Sequence, residues 1–455
     1  MKALALDRSS SSLAKVPPGQ AKLEQASPPP TAAPAAARAL HTLGVMSGLA
    51  AGAWLGAAEA PTKLVAVGLS PFLISLAMVA GVFVARWTVP TVLKGTGYVF
   101  LDLRARGHLV IWAILAGALW AVANTLTVFA IRDVGLSIAF PLWNTNSLVG
   151  LFWGWLLFNE LRGAGWNSRA KVLGGAVAIV AGAAVLAYAT SQHTAGSPQH
   201  SASGILAALG AGLLWGTMYV PYRKAYLSGM NPLSFVTVFT VGELVTMSAL
   251  AVGFRGGVAA LVREVALARP ALFWLFLGGF CWVLGDLFQQ YAAKYIGIGR
   301  GIPLSNTNQL WGLAWGALVF GELSGRGGSV QALIVVGSLT MILGALAISL
   351  AVASPAEQVS WRRAVARECD RYRLDLAQVE AALAGQDSLA KTARARRWLD
   401  IPIMAAAAGI FVWLALSAQR PPLIFNLPWT VILIVAMLAL LFVSGALLWK
   451  RTRFS

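Results

Sequence analysis

The stretch FPLWNTNSLVGLFWGWLLFNELRG at residues 140–163 occurs a second time, as IPLSNTNQLWGLAWGALVFGELSG at residues 302–325. From the proline of each copy onward, 15 of 23 positions are identical without a gap, far more than two unrelated apolar segments would share. Upstream residues match at the same spacing, for example Trp120 with Trp282. The chain therefore contains an internal duplication that extends beyond one motif.

The composition of the chain indicates a membrane protein. Hydrophobic residues make up 58% of the 455 positions and charged residues only 11%, which leaves too little polar surface for a water-soluble globule. Apolar runs long enough to cross a bilayer as helices recur along the sequence. They predict an all-α membrane protein: a ten-helix bundle from two inverted five-helix repeats, plus a C-terminal two-helix extension. The predicted spans are 41–60, 64–85, 109–131, 136–158, 171–190, 204–222, 232–254, 271–293, 298–320, 330–353, 401–418 and 428–449.

The placement of Lys and Arg predicts the orientation of these spans. With the N terminus in the cytoplasm, 28 of the 35 basic residues fall in cytoplasmic segments. The net charge of +18 therefore reflects membrane orientation, and we expect no nucleic-acid partner. Because each half has an odd number of helices, the second half enters the membrane upside down, an arrangement found chiefly in transporters. We expect a multi-pass protein of a bacterial inner membrane with both termini in the cytoplasm.

Local composition predicts the segments outside the bundle. The N-terminal tail is rich in Ser, Pro and Ala and cannot bury a core, and the join between the halves has no Lys or Arg. A capping box at Ser354, with Pro355 at the first helical position, predicts a basic amphipathic helix. We expect it to lie on the anionic inner leaflet, with packing against a partner helix as the alternative. The predicted segments are a disordered cytoplasmic tail at 1–40, the first repeat at 41–190, an external linker at 191–203, the second repeat at 204–353, the amphipathic helix at 354–400 and a transmembrane pair at 401–455.

The NTN motif of each copy carries two asparagines with different expected roles. On a continuous helix they lie about 200° apart and cannot face one ligand. The later asparagine is followed by glycines at fourfold spacing, a pattern that favours close helix packing: Asn146, Gly150 and Gly154, and Asn308, Gly312 and Gly316. The earlier asparagine shares its face with another polar residue and predicts a cavity lining: Asn144 with Ser147, and Asn306 with Gln309. It stays open that all four amides only hold helices together.

A second polar surface is predicted on the third helix of each half. Trp120 and Asn124 are one turn apart, as are Trp282 and Asp286, and Gln289 follows on the same helix. An indole face beside amide and carboxylate groups suits a sugar, whose C–H faces stack on rings while its hydroxyls need hydrogen-bond partners. The alternative is that these tryptophans only fill the bundle.

Three acidic residues fall within predicted spans: Glu59, Glu243 and Asp286. An ionised carboxylate is costly in hydrocarbon, so such residues face a cavity, form pairs or bind protons. No basic residue lies deep enough in a predicted span to be an obvious partner for all three. We expect Asp286 to be the proton-coupling residue, with Glu59 as the second candidate. For Glu160 and Glu322, at the ends of the two copies, capping of a neighbouring helix is the favoured interpretation.

The sequence offers little for metal or covalent chemistry. Cys281 and Cys369 are too few for a disulfide framework and are expected to be reduced. No Cys or His pair has metal-ligand spacing, so we expect no metal and no cofactor. A membrane-bound enzyme is disfavoured because no nucleophile and base pair appears at a membrane face.

Two strings carry a resemblance to a known family. GTMYVPYRK at residues 216–224 and PLSNTNQLWGLAWGALVFGEL at residues 303–323 resemble the drug/metabolite transporter superfamily, and within it the glucose/ribose porter type of sugar transporter. The resemblance covers about residues 41–353 and implies alternating access around a central cavity, with proton-driven sugar uptake. Plant ureide permeases look similar, and the basic tail and the last two helices depart from the usual pattern.

The sequence therefore predicts a secondary transporter in the lipid bilayer. It would couple the movement of a small polar solute, in the first place a monosaccharide, to that of a proton or another ion. Alternatives that stay open are transport or export of another metabolite, such as a ureide, a nucleotide-sugar or a drug-like compound, and a non-transport receptor or scaffold.

Overall fold

The structure is a computed structural model that describes residues 34–58, 60–61, 64–65, 69–134, 139, 142–191, 201–321, 327–387, 389, 397–419 and 425–455. Regular secondary structure in these ranges is helical, as predicted. The folded unit treated below is Leu40–Ser455. The helices are α1 Pro34–Ala57, α2 Pro71–Leu93, α3 Thr96–Ala105, α4 Val110–Val134, α5 Asn146–Phe158, α6 Trp166–Ser191, α7 Ser201–Leu227, α8 Pro232–Phe254, α9 Val258–Leu267, α10 Leu272–Ile296, α11 Ile298–Ser305, α12 Asn308–Ala314, α13 Gly328–Ser349, α14 Pro355–Tyr372, α15 Leu376–Leu383, α16 Asp400–Ser417 and α17 Leu427–Thr452.

The second helix of each half begins at a polar residue followed by proline. Ser70 Oγ accepts a hydrogen bond from the Leu73 amide at 3.2 Å, and Asn231 Oδ1 accepts one from the Leu233 amide at 2.9 Å. Each cap satisfies an amide that has no partner within the helix, and the proline that follows fixes the first turn. The expected span 64–85 is therefore wrong in its bounds: α2 runs Pro71–Leu93. Hydropathy locates an apolar run, whereas the cap determines where the helix begins.

The two copies of the repeated motif are not continuous spans. The expected helix 298–320 is divided into α11, α12 and a π-helical turn at Trp315–Val319, and in the first copy a turn at Asn144 and Thr145 precedes α5. Hydroxyl groups bond to carbonyls next to each break: Thr307 Oγ1 donates to Leu304 O at 2.8 Å, and Thr145 Oγ1 donates to Leu142 O at 2.6 Å. Broken helices at membrane depth persist where the protein satisfies the backbone in this way.

Nine helices of the described residues are long and apolar enough to cross a membrane: α2, α4, α6, α7, α8, α10, α13, α16 and α17. Their outer faces expose large apolar side chains, such as Phe442 at 71% and Leu416 at 83%, which suits contact with lipid. Two short helices, α3 and α9, follow the second helix of each half. Each has only 10 residues, too few for a span, and the hydropathy pattern did not predict them.

The two halves interlock through close helix crossings at glycines. A Cβ atom added at Gly81 on α2 would lie 2.1 Å from the carbonyl oxygen of Phe276 on α10, and one at Gly117 on α4 would lie 2.0 Å from that of Phe239 on α8. Each crossing therefore joins the second helix of one half to the third helix of the other. The same crossing occurs twice with the roles of the halves exchanged. The inverted orientation of the halves stays a prediction.

The amphipathic segment forms α14 and α15 and packs on the protein itself. The capping box is present at its start, where Ser354 Oγ accepts from the Glu357 amide at 3.2 Å. Val365, Cys369 and Val379, all on the apolar stripe, are at most 4% exposed and belong to the same apolar core as α4, α7 and α8. The expectation that this stripe lies on the inner leaflet is therefore wrong, because helices of the same chain already cover it.

Candidate functional site

A cluster of three charged side chains lies buried where α2, α8 and α10 meet. Arg86 Nη1 donates to Glu243 Oε2 at 2.7 Å, and Arg86 Nη2 donates to Asp286 Oδ2 at 2.7 Å. All three side chains are 0% exposed. Arg86 comes from the first half and both acids come from the second. The cluster is thus a charged contact across the interface between the halves.

Polar and aromatic groups surround this cluster. Gln290 Nε2 donates to Asp286 Oδ2 at 2.7 Å, and the Tyr222 hydroxyl lies 3.4 Å from Asp286 Oδ1. The Tyr226 hydroxyl in turn bonds to Gln290 Oε1. The Arg86 guanidinium lies 4.1 Å from the ring centroid of Phe239 and 5.3 Å from that of Trp282. Ring faces attract a cation, so they help to stabilise a buried guanidinium.

Arg86 is a candidate functional residue that the sequence did not predict. The expectation that no basic residue lies deep enough to pair with the intramembrane acids is wrong for Glu243 and Asp286. It followed from ending the second span at residue 85, which placed Arg86 in a loop. The signal that could have found it is the cap at Ser70, since a helix beginning there continues past Arg86.

The two tryptophans predicted to contact substrate are brought together. The rings of Trp120 and Trp282 meet edge to face, with centroids 5.2 Å apart. Asn124, one turn from Trp120, donates to Ser75 Oγ at 3.0 Å. Gln289 donates to Ser305 Oγ at 2.6 Å. The indole pair thus lies next to the charged cluster, because Trp282 is part of both.

The two NTN motifs meet each other across the halves. Asn306 Nδ2 lies 3.2 Å from Asn146 Oδ1 and 3.4 Å from the Asn144 carbonyl oxygen. The expected separation of about 200° holds only for a continuous helix, and each motif contains a turn at its first asparagine and the threonine that follows. Ser147 is fully buried and donates to the Asn144 carbonyl at 3.1 Å. Which asparagine of each motif contacts substrate stays a prediction.

Several amide atoms of these motifs are buried without a hydrogen-bond partner in the described part of the chain. They are Asn144 Nδ2, Asn308 Oδ1 and Gln309 Nε2. A buried polar group without a partner is destabilising unless another molecule satisfies it. These atoms are therefore candidates for contact with a polar solute.

The glycines predicted to allow close packing differ in their surroundings. A Cβ at Gly150 would lie 3.2 Å from the Tyr219 ring, and one at Gly154 would lie 2.8 Å from Glu160 Oε2. Gly312 has open space on its own Cβ side. The second copy is instead approached closely by α1, where a Cβ at Gly52 would lie 2.2 Å from Thr307 Oγ1 and one at Gly56 would lie 2.4 Å from Asn308 O. Gly316 is buried in the π-helical turn.

Salt bridges hold one end of the bundle together. Glu160 accepts hydrogen bonds from the amides of Ile298 and Gly299 at 3.0 and 2.8 Å, so the interpretation that it caps a neighbouring helix is confirmed. Its Oε1 also lies 2.9 Å from Arg223 Nε. Arg300 on α11 donates to both carboxylate oxygens of Glu357 on α14, at 2.7 and 2.9 Å.

Glu59 and Glu322, with residues 1–33 and 192–200, lie outside the described residues.

Comparison with known proteins agrees with this architecture. The EamA-like transporter family matches residues 202–350. A "Putative sugar uptake protein" of Lactobacillus johnsonii is 36% identical over 91 residues, which are 19% of this chain and 31% of that protein. A "Putative sugar uptake protein" of Listeria innocua is 22% identical over 243 residues, 52% of this chain and 78% of that protein. The "Probable glucose uptake protein GlcU" of Staphylococcus epidermidis is 24% identical over 268 residues, 55% of this chain and 86% of that protein.

The first of these matches spans less than one third of its relative, and the other two span more than three quarters. A solved structure aligns with 68% of this chain and 98% of its own at 15% identity, with a TM-score of 0.46, which is too low for an inference about fold. The family match and the spanning helices identify a multi-pass membrane transporter and not an enzyme. Residues 202–350 match the EamA-like transporter family, and the resemblance to the drug/metabolite transporter superfamily and its sugar-uptake members is confirmed.

Proposed function

We propose that the protein moves a monosaccharide across a bacterial plasma membrane by alternating access, with transport driven by protons. The observation that supports this best is the contact between the Trp120 and Trp282 pair and a fully buried charged cluster that spans the two halves. The names of the relatives support a sugar as the solute, and their bacterial origin supports the plasma membrane. The predicted orientation places both termini in the cytoplasm.

The sugar would be recognised by rings and amides together. The indole pair offers apolar surface for the C–H faces of a pyranose. The unpaired amide donors of Asn144 and Gln309 would bond to its hydroxyl oxygens. Leaving such a donor buried and unpaired costs about 1–3 kcal/mol, so a polyhydroxylated solute gains from satisfying it.

The coupling ion is proposed to act at the Arg86 cluster. It contains Asp286, the first coupling candidate from the sequence, and it joins the two halves that must move against each other during alternating access. A proton that enters the cluster changes its net charge, which makes the contact between the halves sensitive to the proton gradient. Glu59 remains the second candidate.

Transport of labelled monosaccharides into proteoliposomes tests the proposal. We expect accumulation above the external concentration when the gradient drives protons in the direction of uptake, and simple equilibration without it. Competition by unlabelled hexoses, pentoses, a ureide and a nucleotide-sugar would identify the solute class. Absence of uptake for every sugar, with uptake of another class, would reject the sugar proposal.

A pair of variants separates substrate contact from helix packing. Gln309→Ala removes an unpaired donor, so we expect KM for the sugar to rise several-fold with little change in stability. Asn306→Ala removes the bond to Asn146, so we expect a loss of stability of about 0.6–2 kcal/mol, the usual range for an interhelical hydrogen bond in a membrane. An unchanged KM in the first variant would remove Gln309 from the site.

A further inference from the structure

We infer that Glu243, and not Asp286, is the residue that carries the coupling proton. This inference rests on the proposed function, since it assigns the proton within a transporter that we propose to be proton-driven. The observations that carry it are the hydrogen-bond partners of each carboxylate oxygen in the buried cluster.

The cluster has an excess of negative charge when both acids are ionised. Arginine keeps its proton in proteins, so Arg86 contributes one positive charge against two negative ones. The three side chains are completely buried and lie within apolar spans. A net charge is costly in such surroundings, and one added proton makes the cluster neutral. The charge balance therefore favours the binding of one proton by the cluster.

The two carboxylates differ in how well their ionised forms are stabilised. Asp286 Oδ2 accepts from Arg86 and from Gln290, each at 2.7 Å, and Oδ1 lies 3.4 Å from the Tyr222 hydroxyl. Hydrogen bonds to a carboxylate favour its ionised form. Asp286 is thus held as an anion by donors on both of its oxygens.

Glu243 has a donor on only one of its oxygens. Its Oε2 accepts from Arg86 at 2.7 Å, whereas Oε1 has no hydrogen-bond partner among the described residues. A proton on Oε1 removes a buried anionic oxygen and leaves the bond at Oε2 in place. The Thr240 hydroxyl lies one turn earlier on the same face of α8, close enough to act on the Glu243 carboxyl group, where it can accept from the protonated oxygen or donate to the ionised one.

The other helices packed on α8 do not change this assignment. From α2 the charged group is Arg86, from α10 it is Asp286, and from α7 the titratable group is the Tyr222 phenol. The α4 surface meets α8 at Gly117, which does not titrate. Among the described residues, Glu243 is therefore the carboxylate of the cluster with fewer hydrogen-bond donors around its oxygens.

Protonation of Glu243 would act on the contact between the halves. Arg86 belongs to the first half, and both of its ionic partners belong to the second. With Glu243 neutral, one of the two charged links across the interface becomes a weaker bond to a neutral acid. The halves can then move relative to one another while Asp286 keeps Arg86 paired.

The test compares Glu243→Gln and Asp286→Asn in proteoliposomes, with sugar-dependent proton uptake recorded by a pH-sensitive dye. Glu264→Gln is the matched control, because Glu264 forms an ion pair with Arg255 on the surface, away from the cluster. We expect Glu243→Gln to lose proton uptake at every pH, and its counterflow of labelled sugar to become independent of pH. We expect Asp286→Asn to keep proton uptake, with its midpoint moved toward acid by the loss of a neighbouring negative charge.

The outcomes separate the inference from the proposed function. No proton uptake by the wild-type protein would reject proton coupling itself. Two results would overturn the assignment to Glu243 when the wild-type protein shows coupled proton uptake. One is proton uptake that persists in Glu243→Gln, and the other is proton uptake that disappears at every pH only in Asp286→Asn. Should Glu243→Gln fail to fold, infrared difference spectra of wild type and Asp286→Asn still decide. The carboxylic-acid band that appears on acidification is expected in both proteins, at lower pH in Asp286→Asn, and its absence at every pH in Asp286→Asn would assign the proton to Asp286.

Discussion

Removing the carboxylate of Glu357 should destabilise the protein far more than removing an acid from the surface. Arg300 and Glu357 form a two-bond salt bridge with side chains 1% and 0% exposed. Glu357→Ala leaves a buried guanidinium without its counter-ion, a change that costs about 3–5 kcal/mol. Arg300 keeps the bond from Nε to Ala351 O at 2.9 Å, so we expect a loss near the lower end of that range.

The measurement is the free energy of unfolding from SDS titration in mixed micelles, followed by tryptophan fluorescence. Glu380→Ala is the control on the neighbouring helix, because its pair with Arg362 is 31% and 36% exposed and is worth about 0–1 kcal/mol. The double variant Arg300→Met, Glu357→Leu should recover most of the loss, since apolar side chains replace a buried pair without leaving a charge. Equal unfolding energies for Glu357→Ala and Glu380→Ala would refute the reasoning.

Three further predictions concern packing, reactivity and orientation. Gly81→Ala places a methyl group 2.1 Å from a carbonyl oxygen of α10 and should cost about 1–3 kcal/mol in the same titration, whereas Gly174→Ala, with open space around it, should cost less than about 0.5 kcal/mol. Burial raises the pKa of the Cys369 thiol to about 11, so its thiolate is scarce at neutral pH. Maleimide labelling of Cys369, measured by mass spectrometry, should be slow in the folded protein and become faster as the pH rises toward 11. In Glu357→Ala, detachment of α14 would expose the thiol and make labelling fast at neutral pH. In a cysteine-free background, a cysteine at Gly328 should react with an impermeant reagent from outside intact cells and one at Arg367 should not; the reverse pattern would invert the predicted orientation.

The sequence predicted the class well, because the class depends on composition. It predicted twelve spans, whereas the described part of the chain has nine helices long and apolar enough to cross a membrane, and the repeated motifs form shorter helices. The cap at Ser354, the helix start at Asn231 and the capping role of Glu160 were readable because each depends on a few neighbouring residues or on a polar group at a helix end. The meeting of Trp120 with Trp282 was only partly predictable. The repeat showed that they are equivalent, and the crossing of the halves brought them into contact.

What the sequence could not show depends on three-dimensional packing. Arg86 was missed because an apolar window does not determine where a helix begins and ends. The contact between Asn306 and Asn146 was missed because the sequence does not show that the two copies of the motif pack against each other. The placement of α14 was wrong because an amphipathic stripe has the same periodicity whether it faces lipid or protein.

The interlocked crossings of the two halves affect how the protein is made. The second helix of the first half, α2, packs against α10, and α4 packs against α8, so two of the main contacts of the first half are with helices synthesised later. Synthesis proceeds from the N terminus at about 5–20 residues per second, so these surfaces wait for about 6 seconds or more before their partners emerge. Meanwhile Arg86 is in the bilayer without either acid. A truncated first half is therefore expected to be a target for membrane proteases, and coexpression of the missing half should rescue it.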